Sequence, residues 1–349
     1  MPNVKVLLKQ YKAEGRITED DFAINQSAPV PQEADLKPDE VAYETKFLSV
    51  DPYMRGRITG SRDSYVEPFE ENEPLDGYGS AVVTASKHSQ YKPGDILVSA
   101  HLPWVKYGVV NLGSGSSYHG KITKAEGELA KVPLEWHVGV LGMPSYTAWY
   151  GLEVIGKPKR GETLVVSAGS GAVGQAVIQF AKSMGLRVVA SAGSEEKVKY
   201  LKETLKVDEA FNYKTVDSLA NALKKACPNG IDLYFDNVQG EFLDAVLLNI
   251  NVYGRIIACG GISQYESHRH EQYGNKALMM IVARQVRMEG FIILHHYDRY
   301  NEFVKDVMER INKGQFHYKM DIAHGLDKGP QILIGVLNGK NFGKAALEV

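Results

Sequence analysis

Hydrophobic and polar positions change their period twice along the chain. Up to about residue 125, short apolar or alternating runs recur between turn residues, at 4–8, 40–50, 81–85 and 96–98. The turn Pro93-Gly94-Asp95 separates the last two. Short strands punctuated in this way predict a compact β-barrel-like domain. From 132 to 155 the period becomes helical, and then strands and helices alternate. Residues 163–166, 186–190, 209–212, 231–236, 255–259 and 286–294 read as strands. Residues 172–184, a segment capped by Ser194, 217–226 and 241–250 read as the helices between them. This alternation predicts a doubly wound parallel sheet. A helix over 300–313 and short mixed segments from Gln315 onward complete the chain. The expected organisation is a β-rich domain over 1–125, rejoined by 310–349, and a Rossmann domain over 126–309.

The first strand–helix unit carries chemistry. Gly169-Ser170-Gly171-Ala172-Val173-Gly174 fits G-x-G-x-x-G where a strand runs into a helix. The first glycine permits the turn, and the second lets backbone approach a pyrophosphate. The third lets helix and strand pack closely, with the helix N-terminal amides aimed at the phosphates. A dinucleotide is therefore expected on Gly171, Ala172, Val173 and Gly174.

Composition narrows the partners. At 349 residues two domains are expected. Lys plus Arg total 40 against 42 for Asp plus Glu, so nothing favours nucleic acid or an anionic membrane. No apolar run approaches the ~20 residues of a membrane span, and the first sixteen residues lack a signal-peptide core. The two cysteines, Cys227 and Cys259, suggest no disulfide framework. A cytoplasmic protein is expected.

The second strand decides between nicotinamide cofactors. An NAD site places an acid at its end to hold the ribose 2′-hydroxyl. Here the end reads Ser191-Ala192-Gly193-Ser194, and Lys197 follows within one helical turn. Glu195 and Glu196 compete, but they suit the first turn of a helix, where the dipole favours them. The expectation is NADPH. Tyr213, after the third strand, could also reach the phosphate, but its spacing alone favours ordinary strand-end packing.

Several motifs then resemble one family. Leu48-Ser49-Val50-Asp51-Pro52-Tyr53-Met54-Arg55, Gly142-Met143-Pro144, Phe211-Asn212-Tyr213-Lys214, Tyr234-Phe235-Asp236-Asn237-Val238, Cys259-Gly260-Gly261-Ile262-Ser263 and Asn341-Phe342-Gly343-Lys344 span the chain in order. Together they resemble the zinc-independent medium-chain dehydrogenase/reductases, in the branch of leukotriene 12-hydroxydehydrogenase/prostaglandin reductase and the alkenal double-bond reductases. Gly169 stands where Ala is more usual in that pattern, and Gln239 where Gly is. The resemblance implies a GroES-like β-rich catalytic domain beside the Rossmann domain, and a homodimer joined through the Rossmann sheets. It implies 2′-phosphate contacts at Lys197 and Tyr213. Further cofactor contacts are implied at Asn237, Cys259, Gly260, Ile262, Ser263, Tyr265, Phe291, Ile292, Ile293 and Asn341.

Zinc-dependent relatives take Cys with His or Glu as ligands in the front domain. This front domain has no cysteine, and His88, His101 and His119 lack ligand spacing, as do His268, His270, His295 and His296. No metal is expected. Without a Lewis acid, oxidation of an isolated carbinol becomes hard. Reduction of a C=C bond conjugated to a carbonyl needs only hydride at the β-carbon, a hydrogen-bond donor for the enolate oxygen, and a proton at the α-carbon. Tyrosine is a neutral donor at pH 7, and the resemblance points to Tyr265 and Tyr53. Arg55 is either a substrate-side cation or half of an ion pair with a front-domain carboxylate. The activity so implied is 2-alkenal or enone reduction on a small molecule. The alternatives are NADP-dependent oxidation of an allylic secondary alcohol, quinone reduction, and a non-catalytic NADPH-binding protein.

Overall fold

The computed structural model describes residues 2–116 and 121–349. The chain divides into two compact units, residues 1–142 with 320–349, and residues 143–319. Among the described residues no helix is long and apolar enough to cross a membrane.

In the first unit, β1 (Asn3–Leu8) pairs antiparallel with β2 (Phe22–Ala28). The main sheet is built on β3 (Glu40–Ser49), β4 (Asp76–Ser86), β5 (Ile96–Pro103), β6 (Tyr107–Asn111) and β7 (Ile122–Lys124). Strands β3, β4, β5 and β7 are successive antiparallel neighbours, and β6 pairs with β3. One short helix, α1 (Met54–Arg57), leaves the end of β3 through Asp51-Pro52-Tyr53. Residues 132–142, helical in period, form a 3-10 turn, Leu134–His137, that packs on this sheet. The Ser80 hydroxyl donates to the Leu134 carbonyl at 3.1 Å.

The second unit opens with α2 (Met143–Tyr150), continued as a π-helical turn, Gly151–Gly156. Then come β8 (Thr163–Val166), α3 (Ala172–Ser183), β9 (Arg187–Ala192), α4 (Glu195–Glu203), β10 (Glu209–Asn212) and α5 (Leu219–Ala226). The second half holds β11 (Ile231–Asp236), α6 (Gly240–Leu247), β12 (Ile250–Ala258), α7 (Met279–Ala283), β13 (Arg287–Gly290) and α8 (Tyr300–Asn312). The strands are all parallel, in the order β10-β9-β8-β11-β12-β13. Within the unit this is 3-2-1-4-5-6, with the topological switch between β8 and β11, where ligands bind in such sheets. Strand β12 starts at Ile250, not 255: Ile250 pairs with Ile231 and Arg255 with Leu233, and the extra residues between them form an irregularity that contains Tyr253 at a φ of 64°. Strand β13 stops at Gly290, and a 3-10 turn follows at Ile293–His295.

The tail supplies β14 (Met320–His324), α9 (Gly329–Leu337) and β15 (Lys344–Glu348). Strand β15 pairs antiparallel with β3, and β14 flanks it. Leu326, Leu333, Val336, Ala345 and Leu347 are buried with Val6, Leu48, Met54 and Trp104 in one cluster. The last thirty residues are thus part of the first unit's core, which a β-sheet edge alone would leave open to water.

Candidate active site

The glycine loop has the geometry that a diphosphate requires. A methyl built on Gly174 would stand 2.4 Å from the Ala168 carbonyl oxygen and 2.7 Å from Gly169 Cα. Only glycine lets α3 approach the β8 turn this closely. Gly169 donates to the Ser191 carbonyl at 2.8 Å, tying the loop to β9. Gly171 is the N-cap of α3, and the buried face of that helix, Ala176, Val177, Phe180 and Ala181, anchors it on the sheet. The first amides of the helix have no carbonyl in their own helix to bond, so they suit an anion.

At the end of β9 a capped helix start meets the segment after β10. Ser194 caps α4, its Oγ accepting from the Lys197 amide at 3.3 Å. A methyl on Gly193 would stand 3.1 Å from the Tyr213 hydroxyl and 3.2 Å from Lys214 Cε. Tyr213 therefore lies over the strand end, with the Lys214 ammonium 5.9 Å from its ring centroid. Glu195 is exposed and accepts from Asn212 Nδ2 at 2.9 Å, and Glu196 is exposed too. Sequence reasoning did not single out Lys214 at this strand end, although it stands in the Phe211-Asn212-Tyr213-Lys214 motif.

At the switch point, Asn237 donates from its amide to Ser167 Oγ at 3.0 Å and from Nδ2 to the Ser167 carbonyl at 2.9 Å. These bonds lock the carboxyl ends of β8 and β11 together. Asp236 is fully buried, and its Oδ1 accepts from the Tyr234 hydroxyl at 2.8 Å and from the amides of Val238 and Gln239 at 3.0 and 2.8 Å. Burial raises its carboxyl above the usual range, against the pull of those donors. The loop after β12 hangs on this turn. Cys259 and Gly260 donate to the Asp236 carbonyl, both at 3.0 Å, and the Ser263 hydroxyl donates to the Val238 carbonyl at 2.6 Å.

Tyr265 ends that loop half-buried, and its hydroxyl oxygen accepts from the Gly261 amide at 3.1 Å. Among the described residues nothing accepts its own proton. Burial raises the phenol above its ordinary value, and the Gly261 donation opposes that rise. Cys259 beside it is pushed up to about 12, by burial first and then by the Asp236 charge. The next segment is not free-standing. Asp244 accepts from the Tyr273 hydroxyl, Asn275 Nδ2 and the amides of Lys276 and Ala277 at 2.8–3.1 Å.

After β13, Phe291 packs on Tyr150 with ring centroids 5.7 Å apart, Ile292 is half-buried and Ile293 is buried. The topology thus gathers the 171–174 loop, Lys197, Tyr213, Asn237, Cys259, Gly260, Ile262, Ser263 and Tyr265 at the carboxyl ends of adjacent parallel strands.

Tyr53 and Asn341 belong to the first unit. The Tyr53 hydroxyl lies 3.6 Å from a methyl built on Gly77, and burial, then the Asp51 charge, raises the phenol well above its ordinary value. Asn341 donates to the Gly343 carbonyl at 2.8 Å. Next to it Lys344 is fully buried, donating to the Val50 carbonyl at 3.0 Å with Asp51 Oδ1 at 3.3 Å.

Arg55 lies in α1. Its guanidinium is buried and donates to the carbonyls of Lys12 and Gly15 at 3.0 and 2.8 Å, clamping the loop after β1. Arg57 is bidentate on Asp76 at 2.8 Å and lies 3.9 Å from the Phe69 ring centroid. Both arginines are buried, and helical spacing cannot say which of them meets Asp76.

Among the histidines, His101 faces Asp76 at 3.4 Å, His296 bonds the Tyr150 hydroxyl at 2.9 Å, and His268 stacks on His270. His119 lies outside the described residues. Among the described residues no three His, Cys, Asp or Glu side chains group as metal ligands.

Comparison with known proteins gives the family of the chain. The family model described as zinc-binding dehydrogenase matches residues 172–313, and that described as N-terminal domain of oxidoreductase matches residues 5–116. The chain is 41% identical over 348 residues to 2-alkenal reductase (NADP(+)-dependent) of Nicotiana tabacum, covering 99% of this chain and 97% of the relative. It is 39% identical to prostaglandin reductase 1 of Rattus norvegicus, covering 96% of each. The crystal structure of CurA from Vibrio vulnificus in complex with NADPH superposes with a TM-score of 0.88 at 36% identity, covering 99% of both chains. With a Rossmann sheet, a β-rich unit closed by its own tail and relatives matched end to end, the chain belongs to the zinc-independent medium-chain dehydrogenase/reductases, in the branch of the alkenal and prostaglandin reductases.

Proposed function

We propose that this protein is an NADPH-dependent oxidoreductase that reduces the C=C bond of α,β-unsaturated aldehydes and ketones. The observation that carries the reading is the Tyr265 hydroxyl. It stands past the carboxyl end of β12, accepts from the Gly261 amide, and keeps its proton for an outside acceptor. A hydroxyl that accepts one hydrogen bond is the stronger donor of another. The relatives named 2-alkenal reductase and prostaglandin reductase, and the NADPH complex of CurA, support the same reading.

The cofactor, when bound, supplies hydride to the β-carbon. Gly171, Ala172, Val173 and Gly174 would hold its pyrophosphate on the amides of α3. Lys197, Tyr213 and Lys214 would hold the 2′-phosphate. Asn237, Cys259, Gly260, Ile262, Ser263, Phe291, Ile292, Ile293 and Asn341 would contact the remainder. Tyr265 Oη–H then donates to the carbonyl oxygen, where negative charge collects, and a preorganised donor there lowers the barrier. Tyr53, the donor of the first unit, is the second candidate for that oxygen or for the α-carbon proton. Half-burial of both tyrosines limits competing water.

We also propose a homodimer through the Rossmann sheet. All four residues of the edge strand β13 are exposed, as are Tyr253, Met279 and Val282 in the same unit. An open parallel edge with apolar neighbours is a template for a second chain. Light scattering should give twice the 38.6 kDa chain mass.

The test is a steady-state screen of NADPH oxidation over enals, enones, quinones and their saturated counterparts, with product masses. The expected product gains two hydrogens and keeps its carbonyl. Equal rates with saturated aldehydes would overturn the assignment.

A further inference from the structure

The turn between β11 and α6 carries a backbone conformation that glutamine does not favour. Gln239 sits at φ 60°, ψ −153°, a region that is essentially glycine's alone. Gly240 follows at φ 59°, where glycine is at ease. Strained residues persist only where surrounding contacts over-determine them, and here the contacts are explicit. The Gln239 amide is held by Asp236 Oδ1 at 2.8 Å. The side chain lies flat on the loop after β12, so that a methyl built on Gly261 would stand 2.4 Å from Gln239 Oε1 and 2.7 Å from its Cδ. The next residue does the same to the far end of that loop, where a methyl on Gly240 would meet Gln264 Nε2 at 2.7 Å and Ser263 Oγ at 3.0 Å. Gly261 is the residue whose amide donates to the Tyr265 hydroxyl at 3.1 Å. The chain of contact therefore runs from a buried carboxylate, through a strained glutamine, to the amide that orients the proton donor.

Resting on the reductase reading above, we propose that Gln239 is a positioning residue: its carboxamide, packed on Gly261, holds the backbone amide that fixes the Tyr265 hydroxyl and leaves the phenolic proton turned to the substrate oxygen. The strain is retained because a glycine at 239 would relax the turn but bring no side chain to hold Gly261.

Three substitutions separate packing from strain. Gln239→Met keeps the strain and the bulk on Gly261. Gln239→Ala keeps the strain and loses the bulk, whereas Gln239→Gly loses both and should fold at least as well as the parent. In the NADPH-bound enzyme labelled with 13Cζ-tyrosine, Tyr265→Phe identifies the Tyr265 resonance, whose shift reports the hydrogen bond at its oxygen. The Ala and Gly variants should move that resonance in the same direction, and the Met variant should leave it in place. In parallel, kcat for an enone should fall about tenfold in Ala and Gly, as for a donor displaced by a fraction of an ångström, with KM for NADPH unchanged. An unmoved resonance in Ala and Gly, or a Met variant that behaves like Ala, overturns the proposal. The resonance needs no turnover, so a failure of the reductase reading would show in the substrate screen and leave this measurement intact.

Discussion

Gly174→Ala tests the cofactor loop at its tightest point. In an unstrained helix the change would stabilise by about 1 kcal/mol, since alanine is the better helix former. Here the new Cβ would stand 2.4 Å from the Ala168 carbonyl oxygen and 2.7 Å from Gly169 Cα, against an ordinary contact of at least 3.4 Å. Both neighbours are backbone atoms of the turn and cannot rotate away. Relief requires the start of α3 to move outward by roughly 1 Å, and overpacking of this kind costs about 1–3 kcal/mol. The net effect on stability is a loss of up to about 2 kcal/mol after the helix gain. The larger effect is on the amides of residues 172–174, which ride on the displaced turn. A 1 Å error in preorganised donors should raise the Kd for NADPH by about tenfold to a hundredfold. Gly335→Ala, in α9, is the control, because its methyl would meet nothing nearer than Lys340 Cβ at 3.9 Å and it brings the same helix gain. Thermal unfolding gives the stability and quenching of protein fluorescence gives the Kd. If Gly174→Ala binds NADPH as tightly as Gly335→Ala does, the packing argument for the third glycine is wrong.

Tyr265→Phe should lower kcat by about 10²–10⁴, the usual worth of a positioned proton donor, with KM for NADPH and the unfolding temperature unchanged; a rate within threefold of the parent would move the role elsewhere. Lys197→Ala with Lys214→Ala should weaken NADPH by about tenfold per charge-assisted bond lost and leave NADH alone, so an equal loss for both cofactors would remove these lysines from the 2′-phosphate site. Asp76 is drawn below the usual carboxylate range: burial pushes it up, but the His101 and Arg57 hydrogen bonds outweigh that. Its contribution is therefore complete above the unfolded pKa, near 4, and is lost as pH falls through the lower folded value. Asp76→Asn should flatten the stability–pH curve below about pH 4 and cost about 3 kcal/mol at pH 7 by leaving Arg57 buried without its carboxylate; urea titrations at pH 3 and pH 7 give both numbers, and an undiminished acid slope would refute the assignment.

What the sequence alone determined is what depends on near neighbours. Strand, glycine turn and helix at 163–184 follow from side-chain period and from the conformational freedom of glycine, so the dinucleotide loop was legible. The missing acid after β9 and Lys197 one helical turn further on are also local, and they carried the cofactor preference. Tyr265 was legible only as one tyrosine after a parallel strand, singled out by a family motif. Its hydrogen bond to Gly261 spans four residues but depends on a loop that Asp236 and Gln239 hold from another strand. Contacts between distant segments belong to the tertiary structure alone. Lys344 meets Asp51 because β15 returns beside β3, and Lys214 reaches Gly193 because β10 lies next to β9. Arg57, not Arg55, faces Asp76 because the single turn of α1 points one arginine at β4 and the other at the loop after β1. The strain at Gln239 is decided the same way: on average that φ and ψ cost about 1–3 kcal/mol, and only the packing of one loop on another holds a glutamine there. Local pattern sets which residues can fold into each element; the closing of loops across strands sets which of them meet.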